Sequence, residues 1–188
     1  MAIARRIAEA IHKMHRTNLP TDRVHTMADE LRILRECFAR MSEQMPKWTG
    51  RLAKLMVGCE KVGASLATPK ACGIHRDFYS SQVIVDGARL WLIDFDCFCS
   101  GDPGLDVGNF VGHVTEQALR EFGNAAALRD VERAMEDRFV ELSGEQVRAS
   151  VRAYKTLTLA RHVYLSTQFP ERRHTTQRLL ELCEQQLD

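Results

Sequence analysis

Apolar positions recur along most of this chain with the period of an α-helix. Over residues 3–15 one face carries Ile3, Ile7, Ala10, Ile11 and Met14. A second helix is predicted over about 22–45, capped by Thr21 or Asp22, and a third over about 48–64. Further helices are predicted over about 105–120, 124–142, 145–168 and 174–187. The pattern therefore predicts a mainly α-helical protein.

The second and third helices each show a continuous apolar stripe, which favours core packing over a cofactor site. The predicted inward residues are Val24, Met27, Leu31, Leu34, Phe38, Met41 and Met45 in the second helix, and Leu52, Leu55, Met56, Cys59 and Val62 in the third.

One segment, residues 73–110, departs from the helical period and holds the longest β-prone runs. Residues 83–85 and 90–93 predict two short, buried strands joined by a turn at Asp86-Gly87. The second strand ends at Asp94, which we expect to face Asp77 and Gln82 across the mouth of the hairpin. This arrangement indicates a functional site.

These three side chains suit phosphoryl transfer. A carboxylate and an amide oxygen, as in Asp94 and Gln82, are ligands for Mg²⁺ held jointly with substrate phosphates. A separate carboxylate, Asp77, can take the proton of an attacking hydroxyl group. The alternative is that His75, Asp77 and Asp94 only cap turns and satisfy backbone groups.

Length and charge limit the other classes. The 188 residues predict one domain or one large lobe, and the net charge of +1 predicts no nucleic-acid partner and no anionic membrane surface. The apolar runs are too short to span a membrane, and no secretory signal is present, so we expect a cytoplasmic protein.

Six cysteines, at positions 37, 59, 72, 97, 99 and 183, form no C-x-x-C pair. Cys97 and Cys99 lie beside the polar residues, so a metal or redox role is an alternative. Cytoplasmic context and the absence of zinc-ligand spacing favour small apolar residues in a reducing compartment.

The polar set resembles the aminoglycoside phosphotransferase and choline kinase group. The resemblance rests on His75-Arg76-Asp77 followed by Gln82, on Ile93-Asp94-Phe95-Asp96, and on Gly101-Asp102-Pro103 with Asp106. The end of the first helix, residues 11–15, also resembles the helix that follows the interlobe hinge in this group. The resemblance implies an α+β fold, mainly α with a small β-hairpin: the C-terminal lobe of a protein-kinase-like fold over residues 1–188. It comprises a helical segment (1–66), the catalytic loop, hairpin and metal-binding loop (73–110) and C-terminal helices (111–188).

The resemblance also implies a role for each matching residue, with ATP as co-substrate, Mg²⁺ as cofactor and a small molecule as hydroxyl acceptor. The implied roles are catalytic base for Asp77, metal ligands for Gln82 and Asp94, apolar contacts under the adenine ring for Ile84 and Ile93, and structural support for His75 and Asp106. Any buried hairpin favours isoleucine, so Ile84 and Ile93 have an equally good structural explanation. Gln82 stands where the group usually has Asn, and the extra methylene displaces the ligand by about 1.5 Å.

Residues before His75 predict helix and contain no glycine-rich phosphate loop. We therefore expect the N-terminal lobe to be absent, with either a separate N-lobe or self-association covering an open apolar face of the hairpin. A pseudokinase-like scaffold is the main alternative function. A haloacid-dehalogenase-like phosphatase is another, from the strand that precedes Asp94-Phe95-Asp96, but it needs parallel strands that the sequence after Gly101 does not predict. Arg76 makes the loop resemble protein kinases, yet no Ala-Pro-Glu element follows, so a protein substrate is less expected.

Overall fold

The computed structural model of the chain describes residues 1–187. Within these residues the fold consists of seven α-helices and two small antiparallel sheets, which confirms the predicted mainly helical fold. Asp188, the last residue of the predicted segment 111–188, lies outside the described residues. The elements in chain order are α1 (Ala2–His15), α2 (Met27–Gln44), α3 (Thr49–Ala64), β1 (Cys72–Ile74), β2 (Val83–Asp86), β3 (Arg89–Leu92), β4 (Cys99–Gly101), α4 (Gly104–Phe122), α5 (Arg129–Ser143), α6 (Val147–Gln168) and α7 (Thr176–Leu187), with 3₁₀ turns at Pro46–Trp48, Ser80–Gln82 and Pro170–Thr175.

Helix α2 begins later than predicted. Its N-cap is Thr26, whose hydroxyl accepts the backbone N–H of Asp29 while the Asp29 carboxylate accepts that of Thr26. The residues before it are extended and bond to Ser100 through backbone groups of Arg23 and His25. The predicted cap at Thr21 or Asp22 is therefore wrong.

Two apolar residues predicted to face inward point to solvent instead. Val24 precedes the true start of α2 and is 70% exposed, because it lies in the extended segment rather than on the helix. Ile3 is 38% exposed at the start of α1, although Ile7, Ile11 and Met14 on the same helix are buried. The inward faces of α2 and α3 are otherwise largely as predicted, with Leu34, Phe38, Met41, Leu52, Leu55 and Cys59 all buried.

The β2–β3 hairpin forms with a turn one residue later than predicted. Asp86 pairs with Arg89, so the two-residue loop is Gly87-Ala88. Gly87 has a φ of +53°, which glycine adopts without strain at the first loop position. The predicted turn at Asp86-Gly87 is therefore wrong by one residue.

Only one face of the hairpin is covered. Val83, Leu90 and Leu92 pack against the core of α1, α4 and α5. On the other face Ile84 pairs with Trp91, and these side chains are 49% and 41% exposed. The prediction that both strands are buried is wrong, because no described element packs over the second face.

Strands β1 and β4 pair with each other immediately before and after the predicted site segments. Neither was predicted as a strand, because each has only three residues. Gly101 is required in β4, since a Cβ atom there would lie 2.5 Å from Ile74 and 2.8 Å from the carbonyl oxygen of His25. The sheet therefore joins the segment that enters the site to the segment that leaves it.

The structure also corrects the predicted start of the fifth helix. Helix α5 begins at Arg129 rather than near 124, because residues 124–128 form turns in which Asn124 accepts the N–H of Ala126.

All strands within residues 1–187 belong to the two antiparallel pairs, so this part of the chain lacks the parallel sheet of a haloacid-dehalogenase-like phosphatase. Among the described helices, none has the length and apolar character needed to span a bilayer.

Candidate active site

Asp106 anchors the loop that carries Asp77. Its carboxylate is fully buried at the start of α4 and accepts the backbone N–H groups of His75 at 2.9 Å and Arg76 at 2.7 Å. The same carboxylate accepts Nε2–H of His15, at the end of α1, at 2.8 Å. A buried carboxylate requires such donors, and the two bonds from the N–H groups of His75 and Arg76 fix the backbone just before Asp77.

Asn109 holds the other side of Asp77. Its amide donates to the carbonyl oxygen of Phe78 at 3.1 Å, and its own oxygen accepts from Thr158 at 3.1 Å and Arg161 at 2.9 Å, both on α6. Phe78 itself is completely buried and packs on Phe110. The backbone is thus tied down immediately after Asp77 as well.

A charged group on α2 completes this second support. Arg161 also donates to Glu30 at 3.2 Å, and the other oxygen of Glu30 accepts Nε2–H of His25 at 2.6 Å. Burial raises the pKa of the Glu30 carboxyl group, but the hydrogen bond from His25 and the charge of Arg161 outweigh it, so the net pKa is lowered. Glu30 therefore remains ionised and keeps Arg161 in place.

Asp77 lies exposed between these two anchors, and it makes no side-chain hydrogen bond to any described residue. The preceding Arg76 has a φ of +71°, a left-handed conformation that costs a non-glycine residue free energy. The anchors on His75 and Phe78 hold the loop in this conformation. The loop therefore presents the carboxylate of Asp77 to solvent from a fixed backbone.

His75 connects this loop to the end of the hairpin. Its ring is fully buried, donates Nε2–H to the carbonyl oxygen of Ile93 at 2.8 Å, and packs on Phe95 with ring centroids 4.9 Å apart. Asp94 lies between these two contacts and has a φ of +64°. The buried histidine therefore links the Asp94 segment to the Asp77 loop, and its supporting role in the site stays a prediction.

Gln82 and Asp94 come together as the sequence predicted. The carbonyl oxygen of Gln82 accepts the backbone N–H of Ile93 at 3.1 Å, and its side-chain Nε2 donates to Oδ2 of Asp94 at 3.1 Å. Gln82 is buried, whereas Asp94 is exposed. Asp96, two residues on, uses its backbone carbonyl to accept from Arg23 at 2.6 Å.

The donor set fits Mg²⁺ only when phosphate oxygens complete the coordination. Within residues 1–187 no three Asp, Glu, His or Cys side chains converge as metal ligands. Mg²⁺ bound with nucleotides commonly takes one or two protein oxygens, with phosphates and water as the rest. Asp94 supplies a carboxylate, and rotation of the Gln82 amide by half a turn presents its oxygen in place of nitrogen.

Ile84 and Ile93, the residues predicted under the adenine ring, lie on the uncovered face of the hairpin. Ile84 opposes Trp91, and Ile93 follows two residues after Trp91, so all three side chains belong to the same face. Their exposed fractions are 49%, 41% and 37% for Ile84, Trp91 and Ile93. An apolar, accessible surface thus adjoins Asp94, where a flat aromatic ligand can pack.

A histidine pair that sequence reasoning did not single out adjoins the same loop. The ring of His113 stacks on Tyr79 with centroids 4.7 Å apart and meets His162 edge-on at 4.5 Å. Burial, followed by the charges of Arg161 and Arg172, lowers the pKa of His113 to about 3. His162 is shifted in the same direction, chiefly by burial, so both rings are neutral near pH 7.

The supporting residues on α4 had a signal in the sequence. Asp106, Asn109 and His113 are spaced by three and four residues, which places them on one face of a helix whose other residues are largely apolar. No comparable sequence signal marks their partners His15, Glu30 and Arg161, because these residues approach from distant parts of the chain.

Burial favours the protonated thiol at most of the cysteines in the described residues. All six are free, and burial raises the pKa of the Cys99 thiol to about 11 and that of Cys72 to about 12. Protonated thiols are poor nucleophiles and poor metal ligands. The interpretation of the buried cysteines as small apolar residues is consistent with this.

Three solved structures that share this fold are named for small-molecule kinases or phosphotransferases. A choline/ethanolamine kinase family protein from Mesorhizobium loti is 13% identical with a TM-score of 0.69, over 97% of this chain and 61% of that one. A glucosamine kinase is 18% identical with a TM-score of 0.61, over 98% and 52%. A spectinomycin phosphotransferase, solved with ADP and spectinomycin, is 13% identical with a TM-score of 0.54, over 99% and 61%. The chain thus spans between about half and three fifths of the length of these proteins.

No curated protein matches the chain significantly. The family model of the APH phosphotransferases, described as the phosphotransferase enzyme family, matches residues 2–154. That match contains both anchored sides of the Asp77 loop, the hairpin and the residues of α4 that support them. The chain belongs to the APH phosphotransferase enzyme family.

Proposed function

We propose that this chain carries the catalytic part of an ATP- and Mg²⁺-dependent phosphotransferase that acts on a hydroxyl group of a small molecule. The observation that carries the proposal is the exposed carboxylate of Asp77 on a loop whose backbone is fixed on both sides. Asp106 holds this loop at His75 and Arg76, and Asn109 holds it at Phe78. Phosphoryl transfer depends on positioning more than on covalent chemistry, which is what such anchoring supplies.

In the proposed reaction, Asp77 orients the acceptor hydroxyl group and takes its proton. The acceptor oxygen forms a bond to the γ-phosphorus of ATP, the bond from that phosphorus to the bridging oxygen breaks, and ADP leaves. Asp94 and Gln82 are the residues that would hold Mg²⁺ through a carboxylate and an amide oxygen. When bound, the metal neutralises the negative charge of the phosphates.

The acceptor class follows from the family rather than from a recognised pocket. The solved relatives are named for ethanolamine or choline, glucosamine and spectinomycin, all small molecules with hydroxyl groups. We propose a small alcohol of this kind as substrate and the cytoplasm, which contains ATP, as the location. The first acceptor panel for an assay is therefore ethanolamine, choline, glucosamine and spectinomycin.

We further propose that the apolar face of Ile84, Trp91 and Ile93 is one side of a nucleotide cleft that a second unit completes. In support, these three side chains are between 37% and 49% exposed and form one continuous surface beside Asp94. The covering unit is a separate N-terminal lobe. Self-association through the same face is the alternative, and sedimentation over a range of concentrations distinguishes the two, since a chain that remains monomeric contradicts self-association.

A nucleotide-binding scaffold without turnover is the second candidate. The observation that favours it is the Gln82 amide, which presents nitrogen rather than oxygen to Asp94. Retention of both Asp77 and Asp94 favours the enzyme, because a scaffold needs no exposed base. Turnover separates the two functions directly.

The test is ADP formation with the acceptor panel, Mg²⁺ and ATP, with the chain alone and together with its N-terminal lobe. The Asp77→Asn variant is expected to lose about 10²- to 10⁴-fold in turnover and to keep the melting temperature of the parent, because Asp77 is exposed. Asp86→Asn, at an exposed carboxylate in β2, is the matched control and should retain full activity. Undiminished turnover of Asp77→Asn would disprove the role of the base, and nucleotide binding without any turnover would favour the scaffold.

A further inference from the structure

One cavity of the described residues lies away from the Asp77 loop. It has a volume of about 820 Å³ and lies between the C-terminal end of α1, the segment 65–72 before β1, and the connection from α5 to α6. Its lining does not contain Asp77, Gln82 or Asp94. A volume of this size accommodates a small metabolite.

Apart from its histidines, the charged residues that line the cavity are Arg16, Lys70 and Asp102. Arg16 and Lys70 are exposed at its wall, and neither forms an ion pair with any residue from 1 to 187. His12 also lines it, and its pKa is lowered first by burial and then by the positive charges of His15, Arg16 and Arg138. The cavity wall therefore presents two cationic side chains that make no ion pair within the described residues.

Asp102 is the single carboxylate among the lining residues, and it is already satisfied. Its two oxygens accept the backbone N–H of Gly104 at 2.8 Å and the hydroxyl group of Ser150 at 2.6 Å. It is buried with only 5% of its surface exposed. A cationic ligand would thus find no free carboxylate here, whereas an anionic ligand would find free donors.

One wall of the cavity leads directly to the catalytic loop. His15 lines the cavity, is 6% exposed, and its Nδ1 has no hydrogen-bond partner among the described residues. Its Nε2–H bonds to Asp106, which in turn accepts the N–H groups of His75 and Arg76. Two hydrogen bonds in series therefore separate the cavity wall from the backbone before Asp77.

We propose that this cavity binds a small phosphate monoester, and that its occupancy stabilises the catalytic loop through His15 and Asp106. The guanidinium group of Arg16 and the ammonium group of Lys70 hold the dianionic phosphate, for which these side chains provide charge-assisted hydrogen bonds. The carbon skeleton packs on the apolar part of the lining, at Leu66, Leu142 and Val147. The site is separate from the nucleotide cleft, so it does not depend on turnover.

The test measures binding of glycerol 3-phosphate to the whole chain by calorimetry, with glycerol as the uncharged control and inorganic phosphate as the ligand without a carbon skeleton. Saturable binding of glycerol 3-phosphate is expected, with weaker binding of inorganic phosphate and none of glycerol. The double variant Arg16→Gln, Lys70→Gln should weaken the affinity at least tenfold, as expected for the loss of charge-assisted hydrogen bonds. Lys13→Gln, at an exposed lysine of α1 outside the cavity, is the matched control and should bind like the parent.

Hydrogen exchange tests the coupling to the loop. Glycerol 3-phosphate should slow exchange of the His75 and Arg76 amides severalfold, and it should do so in the Asp94→Ala variant as well, which separates this site from the nucleotide cleft. Absence of saturable binding, or binding unaffected by the double variant, would overturn the proposed site. Binding that leaves the exchange of these two amides unchanged would overturn the coupling.

Discussion

The side-chain amide of Gln82 donates a 3.1 Å hydrogen bond from Nε2 to Oδ2 of Asp94. One residue is buried in the 3₁₀ turn before β2, and the other follows the end of β3, so the hairpin itself brings them together. In this arrangement the amide neutralises no charge on Asp94. A bound divalent cation would neutralise the negative charge of Asp94, so Gln82 is a sensitive position for testing the proposed metal site.

Substitution of Gln82 should change the requirement for Mg²⁺. Gln82→Leu removes the amide oxygen at similar volume, so we expect about a tenfold rise in the Mg²⁺ concentration for half-maximal nucleotide binding. Gln82→Glu adds a second carboxylate beside Asp94 and should lower that concentration. Titration of Mg²⁺ at fixed ATP measures both, with Ser81→Ala as control at the exposed neighbouring residue. A Gln82→Leu protein with the parent's Mg²⁺ dependence would show that Gln82 is not a metal ligand.

Loss of the Asp106 charge should destabilise both the fold and the loop. Asp106→Asn leaves one oxygen where three donors from His15, His75 and Arg76 now converge. Because the group is fully buried, we expect a loss of about 3 kcal/mol in the free energy of unfolding, measured with urea. Asp102→Asn, at the other buried carboxylate of this region, is the control. Only Asp106→Asn should accelerate exchange of the His75 and Arg76 amides, and equal exchange in both variants would refute the anchoring role.

The sequence was sufficient for features that depend on neighbouring residues. Helices α1, α3 and α4 follow from their apolar spacing, and the hairpin follows from two β-prone runs around a glycine. The start of α2 was misplaced because Thr21 and Thr26 have the same capping chemistry. What selects Thr26 is the pairing of the extended segment before it with Ser100, which is a tertiary contact.

The proximity of the candidate site residues was also predictable where they are close in the sequence. Asp77, Gln82 and Asp94 lie within one short segment, and the structure confirms that Gln82 and Asp94 meet. The supports from His15, Glu30 and Arg161 were not predictable, because they join residues separated by 91 positions for His15 and Asp106 and by 52 for Arg161 and Asn109. Burial of the hairpin was also overestimated, since an apolar strand does not reveal whether another element covers it.

Stability should fall on mild acidification because of His113. The pKa of this residue is lowered from 6.5 to about 3 in the folded protein, so between these values the unfolded chain binds one more proton than the folded one. The free energy of unfolding therefore decreases as the pH falls, by up to about 1.4 kcal/mol per pH unit for this group. His162 contributes in the same direction.

His113→Phe keeps an aromatic ring against Tyr79 and removes the proton-binding site. We expect the free energy of unfolding, measured with urea between about pH 6 and pH 5, to depend on pH less steeply in the variant, by close to one bound proton. Comparison of the variant and the parent at pH 8 shows any effect of changed packing. An unchanged slope would mean that His113 is not neutral in the folded state over this range.

Nucleotide affinity should depend on the exposed face of the hairpin. Ile84→Asn replaces an apolar contact beneath the proposed adenine site, and we expect about fivefold weaker Mg²⁺-ATP binding with little change in stability, because burial of this much apolar surface contributes about 1 kcal/mol. Val85→Asn is the matched control: its side chain is 45% exposed and points to the opposite face of the same strand. Equal effects at the two positions would argue against an adenine site on this face.

The most direct test of the proposed phosphotransferase site is calorimetric binding of ATP to this chain, with and without Mg²⁺, and to its Asp94→Ala variant. Asp86→Ala, at an exposed carboxylate of the same hairpin, is the control. We predict saturable binding that requires Mg²⁺, persists in Asp86→Ala and is lost in Asp94→Ala. ATP binding that is independent of both Mg²⁺ and Asp94, or the absence of saturable binding, would contradict the assignment of this site.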